Sequence, residues 1–105
     1  MPLHEQIAVN VRRSLEEGDL APGERLPPAS ELAAVLDINP NTVLHAYRAL
    51  RAEGVLEFRR GRGVQVAAGA VARSAVVEAA KDLLALGRAT GYSPEALAAL
   101  IEELA

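Results

Sequence analysis

The sequence predicts a mainly α fold with a small β-hairpin, arranged as a winged helix-turn-helix followed by a two-helix dimerisation hairpin. Three observations lead there. Apolar residues recur at helical spacing in three stretches before Gly54. The period then switches to alternation on either side of a glycine-containing turn. Beyond a link of small residues, two more apolar stripes expose a wider face than two helices can cover alone.

Leu3, Ile7, Val11 and Leu15 recur every four residues, with Arg12, Arg13, Glu16 and Glu17 off the stripe. That spacing predicts an amphipathic helix, and Gly18 supplies its stop. "LAPGERLPP" (20–28) reads as a loop, because Pro22-Gly23 marks a turn and Pro27-Pro28 favours extended backbone. "ASELAAVL" (29–36) predicts a short helix with Leu32, Val35 and Leu36 facing inward. Asp37 and Ile38 form a tight connection. In "INPNTVLHAY" (38–47), Pro40 would break a helix already under way, yet it suits a helix start. Proline loses nothing at the first helical position, and asparagine just before it caps a free backbone N–H. Asn39-Pro40 therefore predicts a helix running from Pro40 to about Glu53, with Gly54 as its stop. Two helices joined by a three-residue turn form a helix-turn-helix.

"VLEFR" (55–59) places Val55, Glu57 and Arg59 on one face and Leu56 and Phe58 on the other. "GVQVA" (63–67) alternates too, and Arg60-Gly61-Arg62 is the turn between them. "AAGA" (67–70) is the expected boundary, separating a winged unit, 1–67, from a helical dimerisation tail, 68–105. In the tail, Val71, Ala75, Val76, Ala79, Ala80, Leu83 and Leu84 line a long helix that Gly91 ends. Ser93-Pro94 repeats the cap-plus-proline device. Leu97, Leu100, Ile101 and Leu104 follow at i, i+3, i+4 and i+7. An isologous dimer is expected to bury the remaining apolar face through Val76, Ala79, Leu83, Leu97, Leu100, Ile101 and Leu104.

Composition narrows the function. Half of the 105 residues are apolar and only Tyr47, Phe58 and Tyr92 are aromatic, so aliphatic packing dominates a modest core. The absence of cysteine excludes disulfides and thiolate metal sites and fits a reducing compartment. No basic start precedes an apolar run, and no stretch approaches the ~20 apolar residues that span a bilayer. A cytoplasmic protein without a membrane partner is expected. His4 and His45 lack metal-ligand spacing, and no nucleophilic triad or phosphate-cradling glycine loop exists, so neither an enzyme nor a cofactor is expected. Net charge is −3, but its distribution is uneven. Residues 1–47 carry −4, residues 48–66 carry +3 and residues 67–105 carry −2. The local positive field suits a polyanion better than the total suggests.

That polyanion is expected to be double-stranded DNA. The N-terminal end of a recognition helix enters the major groove first, and Asn39, Asn41 and Thr42 sit there. Asparagine can pair with adenine, and threonine can bond a base edge or touch a thymine methyl. Asn39 serves chiefly as the cap. His45 and Arg48 follow on the exposed side, open to base edges or phosphates, or to water alone. Tyr47 is expected to pack on the first helix and offer its hydroxyl to a phosphate, and His4 to be an ordinary surface residue. At the wing, Arg59, Arg60 and Arg62 surround Gly61, where bare backbone can approach a sugar-phosphate edge and arginine can enter a minor groove.

Residues 3–66 resemble, without a gap, the DNA-binding domain of GntR-family bacterial transcription regulators. The most specific parts are "GDLAPGERLP" (18–27), "NPNTV" (39–43), "LRAEG" (50–54) and "RRGRG" (59–63). "NPNTV" with a short tail resembles the small YtrA-like branch, whose two-helix dimerisation hairpin is similar to "LGRATGYSPEALAALIEEL" (86–104). The resemblance implies a transcription regulator of repressor type, a homodimer on a pseudo-palindromic operator, commonly of a transporter operon in this branch. A tail this short offers no evident effector pocket, although a dimer interface could hold a small ligand between subunits. Pro28 stands where the family usually has a capping serine. Ser30 and Leu44 stand where many relatives carry DNA-contacting arginines. These two departures and the net acidity support a rival reading, a winged-helix protein-interaction module that dimerises without reading DNA.

Overall fold

The structure, a computed structural model, describes every residue from Met1 to Ala105. In chain order it contains α1 (Leu3–Glu16), α2 (Ala29–Leu36), α3 (Pro40–Ala52), β1 (Leu56–Arg59), β2 (Gly63–Val66), α4 (Ala70–Thr90) and α5 (Pro94–Leu104). Mainly α with a single antiparallel hairpin, this is the expected fold class. Contacts group the residues into two compact units, Met1–Ser74 and Ala75–Ala105.

In the first unit, Ile7, Ala8, Val11 and Leu15 of α1 share one core with Val43, Ala46, Tyr47 and Leu50 of α3. Each fully buried aliphatic side chain there contributes ~1.5–3 kcal/mol through removal from water. The α1 stripe is as expected, except that Leu3 is exposed and Arg12 is buried. Arg12 lies inside because Nη2 donates to both carboxylate oxygens of Glu53, the C-cap of α3. A charge can be buried when a partner charge goes with it.

The short helix α2 departs from expectation. Its boundaries agree, but Val35 is 77 % exposed and Leu36 is 48 % exposed. Only Ala33 is fully inside, with Leu32 packed partly against the core. Asp37 adopts a left-handed conformation (φ 54°), which ends the helix within one residue and turns Ile38 onto the core. Eight residues offer one narrow buried stripe, and Ala33 with the half-buried Leu32 and Ile38 makes it up. Pro28 precedes α2 with no side-chain cap, as its chemistry requires.

The hairpin pairs Leu56 with Val66 and Arg59 with Gly63. A third segment joins it. The Gly23 N–H donates to Val66 O (2.8 Å), Val66 N–H to Glu24 O (2.8 Å), and Leu26 N–H to Val64 O (2.9 Å). The stretch expected to be only a loop thus pairs along β2, bridging Arg25 to Gln65 and covering an otherwise open strand edge. The start of α4 is also held in this unit, past the sequence-expected division after residue 67. Ala70 and Ser74 are buried, and Arg73 Nε donates to Glu53 O at 2.8 Å.

In the second unit, the remainder of α4 and α5 close a helical hairpin. Tyr92 N–H donates to Gly87 O at 2.8 Å, and Ser93 Oγ caps α5 by accepting from Ala96 N–H at 3.1 Å. Gly87 permits the close approach. A methyl group there would stand 2.7 Å from Leu97 Cδ1 and 2.9 Å from Tyr92 O. No helix is long and apolar enough to cross a membrane.

Candidate nucleic-acid interface

The start of α3 is built as its chemistry demands. Asn39 is extended (φ −68°, ψ 130°), and its Oδ1 accepts the Asn41 N–H at 2.8 Å. Pro40 occupies the first turn, where no N–H is needed. Asn39, Pro40 and Asn41 are exposed, and Thr42 is half-buried. Asn41, His45 and Arg48 fall on one helical face at i, i+4 and i+7, opposite the buried Val43, Ala46, Tyr47 and Leu50. The polar tip and the polar stripe are therefore continuous, and the apolar stripe fixes which way they point.

The wing tip brings the second group together. Arg62 N–H donates to Arg59 O at 2.9 Å to close the turn. Gly61 has φ 76°, a left-handed value that costs most other residues strain. Arg59, Arg60 and Arg62 are all exposed, but they are not equivalent. Arg59 Nε pairs with Glu57 Oε2 at 3.1 Å, whereas Arg60 and Arg62 have no acidic partner in the chain. Their positive charge is uncompensated. The wing is fastened to α3 by Arg51, whose guanidinium carbon lies 4.3 Å from the centre of the Phe58 ring.

Two residues differ from the sequence reading. Tyr47 is fully buried, and its hydroxyl donates to Pro27 O at 2.8 Å, so it is not offered to a phosphate. Burial, then the nearby Glu31 carboxylate, pushes its pKa up to about 12. His4 is not an isolated surface residue. Its ring stacks on His45 with centroids 3.8 Å apart and planes inclined by 17°.

Arg25 is a further residue that sequence reasoning passed over. Pairing of its segment with β2 sets it at a cleft of about 320 Å³ whose lining also includes Pro28, Leu44 and Arg62. The arginine was visible in "PGERLP"; its non-local neighbour was not. Ser30 is exposed and Leu44 half-buried, and neither side chain carries a charge. No group of three or more His, Cys, Asp or Glu side chains could hold a metal ion.

Of the residues expected to dimerise the tail, Leu97 is only 6 % exposed and fills its own hairpin against Gly87. Leu83 is half-buried, and Val76, Ala79, Leu100, Ile101 and Leu104 are exposed.

Three stacked helices, a short wing and a capped polar helix tip define the winged helix-turn-helix class. Comparison with known proteins gives the family. Residues 3–66 match the model of bacterial regulatory proteins of the gntR family, and the chain belongs to that family. It is 42 % identical over 65 residues to the HTH-type transcriptional repressor YtrA of Bacillus subtilis, a match covering 62 % of this chain and 50 % of that protein. The chain thus spans about half the length of that curated relative. A solved structure, YtrA from Sulfolobus acidocaldarius, is 27 % identical with a TM-score of 0.66 and covers 99 % of this chain and 88 % of that one. The DNA-binding domain of AraR in complex with an operator shares the fold at 24 % identity and a TM-score of 0.60, over 64 % of this chain and 81 % of that one.

Proposed function

We propose that the chain is a cytoplasmic, sequence-specific transcription regulator of repressor type that grips a pseudo-palindromic operator as a homodimer. One observation carries this reading. The α3 face that avoids the core presents Asn41, His45 and Arg48 to solvent behind a capped tip, and the wing adds Arg60 and Arg62 without counter-charges. In the proposed complex, α3 enters the major groove with Asn41 and Thr42 foremost, and Asn39 holds the tip in shape. Arg60 and Arg62, with Gly61 between them, follow the minor groove, and Arg48 meets a base edge or phosphate. Arg59 contributes less charge, because Glu57 already shares it.

The names of relatives support the same reading: a YtrA repressor at 42 % identity, and a DNA-binding domain of the same fold solved with its operator. The exposed Leu100, Ile101 and Leu104 support the homodimer. A gel shift on the DNA upstream of the chain's own gene tests the proposal. Retardation that weakens as salt rises is expected, by ~0.9 in log–log slope per neutralised phosphate. No retardation at any salt would favour a protein-interaction module instead.

A further inference from the structure

We infer that His4, on α1, is a positioning residue for the DNA-reading face of α3, acting through its ring stack on His45. The inference rests on the proposed function and adds to it a residue outside the helix-turn-helix and the wing. His4 lies in the first turn of α1, on the side continued by Ala8, Val11 and Leu15, which are buried in the core shared with α3. The α1–α3 packing therefore delivers the His4 ring to the outer flank of α3, where it meets His45 at 3.8 Å.

Neither ring is part of the apolar core; His45 is exposed and His4 half-buried. Neither ring makes a side-chain hydrogen bond, so the stack is what orients the pair. A side chain at the middle of a reading face normally loses rotamer freedom when it docks. Here the loss is already incurred in the free protein, because the near-parallel ring holds His45 beside Asn41 and Arg48 before DNA arrives. The stack requires an aromatic ring at residue 4, not a proton or a charge. Phenylalanine there should replace the function; alanine should not.

The test uses the full chain and a duplex it selects from a random pool. His4→Ala is expected to bind that duplex about three- to tenfold more weakly, the scale of one immobilised side chain. His4→Phe is expected to recover most of that loss. In a His45→Ala background, the His4→Ala change is expected to alter affinity less than twofold, since there is no ring left to position. Repeating the selection with His4→Ala is expected to flatten preference at the base pairs nearest His45 while leaving those read by the wing unchanged. Thermal melts of every variant separate binding from folding, and His4→Phe against wild type carries the comparison if His4→Ala melts early. Equal affinity of His4→Ala and wild type overturns the inference alone, as does an unrescued His4→Phe or an undiminished effect in the His45→Ala background. Failure of the wild-type chain to select any duplex overturns the proposed function and this inference together.

Discussion

Tyr47 shows how one side chain fixes the distance between core and interface. Its ring fills the space between α1 and α3, and its hydroxyl ties α3 to Pro27, just before α2. The bond holds the two helices of the helix-turn-helix together at their open end. Tyr47→Phe removes it and leaves the Pro27 carbonyl without that donor, so a loss of about 1 kcal/mol is expected at pH 8. The pH dependence follows from the raised pKa. Because the folded value of about 12 lies above the ordinary 10.0, the native state favours the neutral phenol. That preference stabilises the fold fully below pH 10 and is lost as pH climbs through 12. Urea unfolding of wild type at pH 8 and pH 11 should therefore show a fall that Tyr47→Phe does not share. An equal fall in both would place the alkaline loss elsewhere. Gly54 acts by having no side chain: a Cβ there would stand 3.1 Å from Arg73 Nε, which donates to Glu53 O at the end of α3.

At the scale of elements, the helix starts decide where function sits. Asn39 has its side-chain cap and Pro28 has none, which makes a matched pair of tests. Asn39→Ala is expected to cost about 1 kcal/mol, and Pro28→Ser to add a few tenths to about 1 kcal/mol by supplying the missing cap to α2. Thermal melts should move in opposite directions; movement in the same direction would show that caps do not limit these helices. For the wing, joint Arg60→Ala and Arg62→Ala changes are expected to lower the salt slope of DNA binding by ~2, about one per arginine, without altering the mass of the particle in light scattering. An unchanged slope would remove the wing from the interface. Much of this was legible beforehand, because caps, prolines and alternation are local signals. The extents of α2, α3 and both strands follow from them within a residue or so. What stayed hidden depends on residues far apart in sequence. Pairing of Gly23–Leu26 with β2 is masked by proline and glycine nearby. Burial of Arg12 depends on Glu53, and the His4 stack on a helix forty residues away. Val35 misled because an apolar residue on a short helix reads as inward whether or not a partner lies there.

For the whole molecule, positive charge gathers in one segment of the first compact unit, whereas exposed apolar side chains occur in both units, Val35 and Leu36 in the first and Leu100, Ile101 and Leu104 in the second. The +3 of residues 48–66 belongs to α3 and the hairpin. Ile101 is 53 % exposed and Leu104 is 78 % exposed, which is the surface a homodimer would cover. Leu97 does not belong to that surface, so Leu97→Asp is expected to unfold its own hairpin. Leu100→Asp with Ile101→Asp is expected instead to yield folded monomers by light scattering, with operator affinity lowered by the lost second half-site; a persistent dimer would move the interface elsewhere. The measurement that bears most directly on the reading of bases by α3 is selection of bound sequences from random double-stranded DNA, run with wild type and with Asn41→Ala. Wild type should enrich two inverted half-sites with centres roughly 10 base pairs apart, or a multiple of that. Asn41→Ala should lose preference at one position in each half-site. Enrichment of no sequence by wild type, or the same sequences from both proteins, would contradict it.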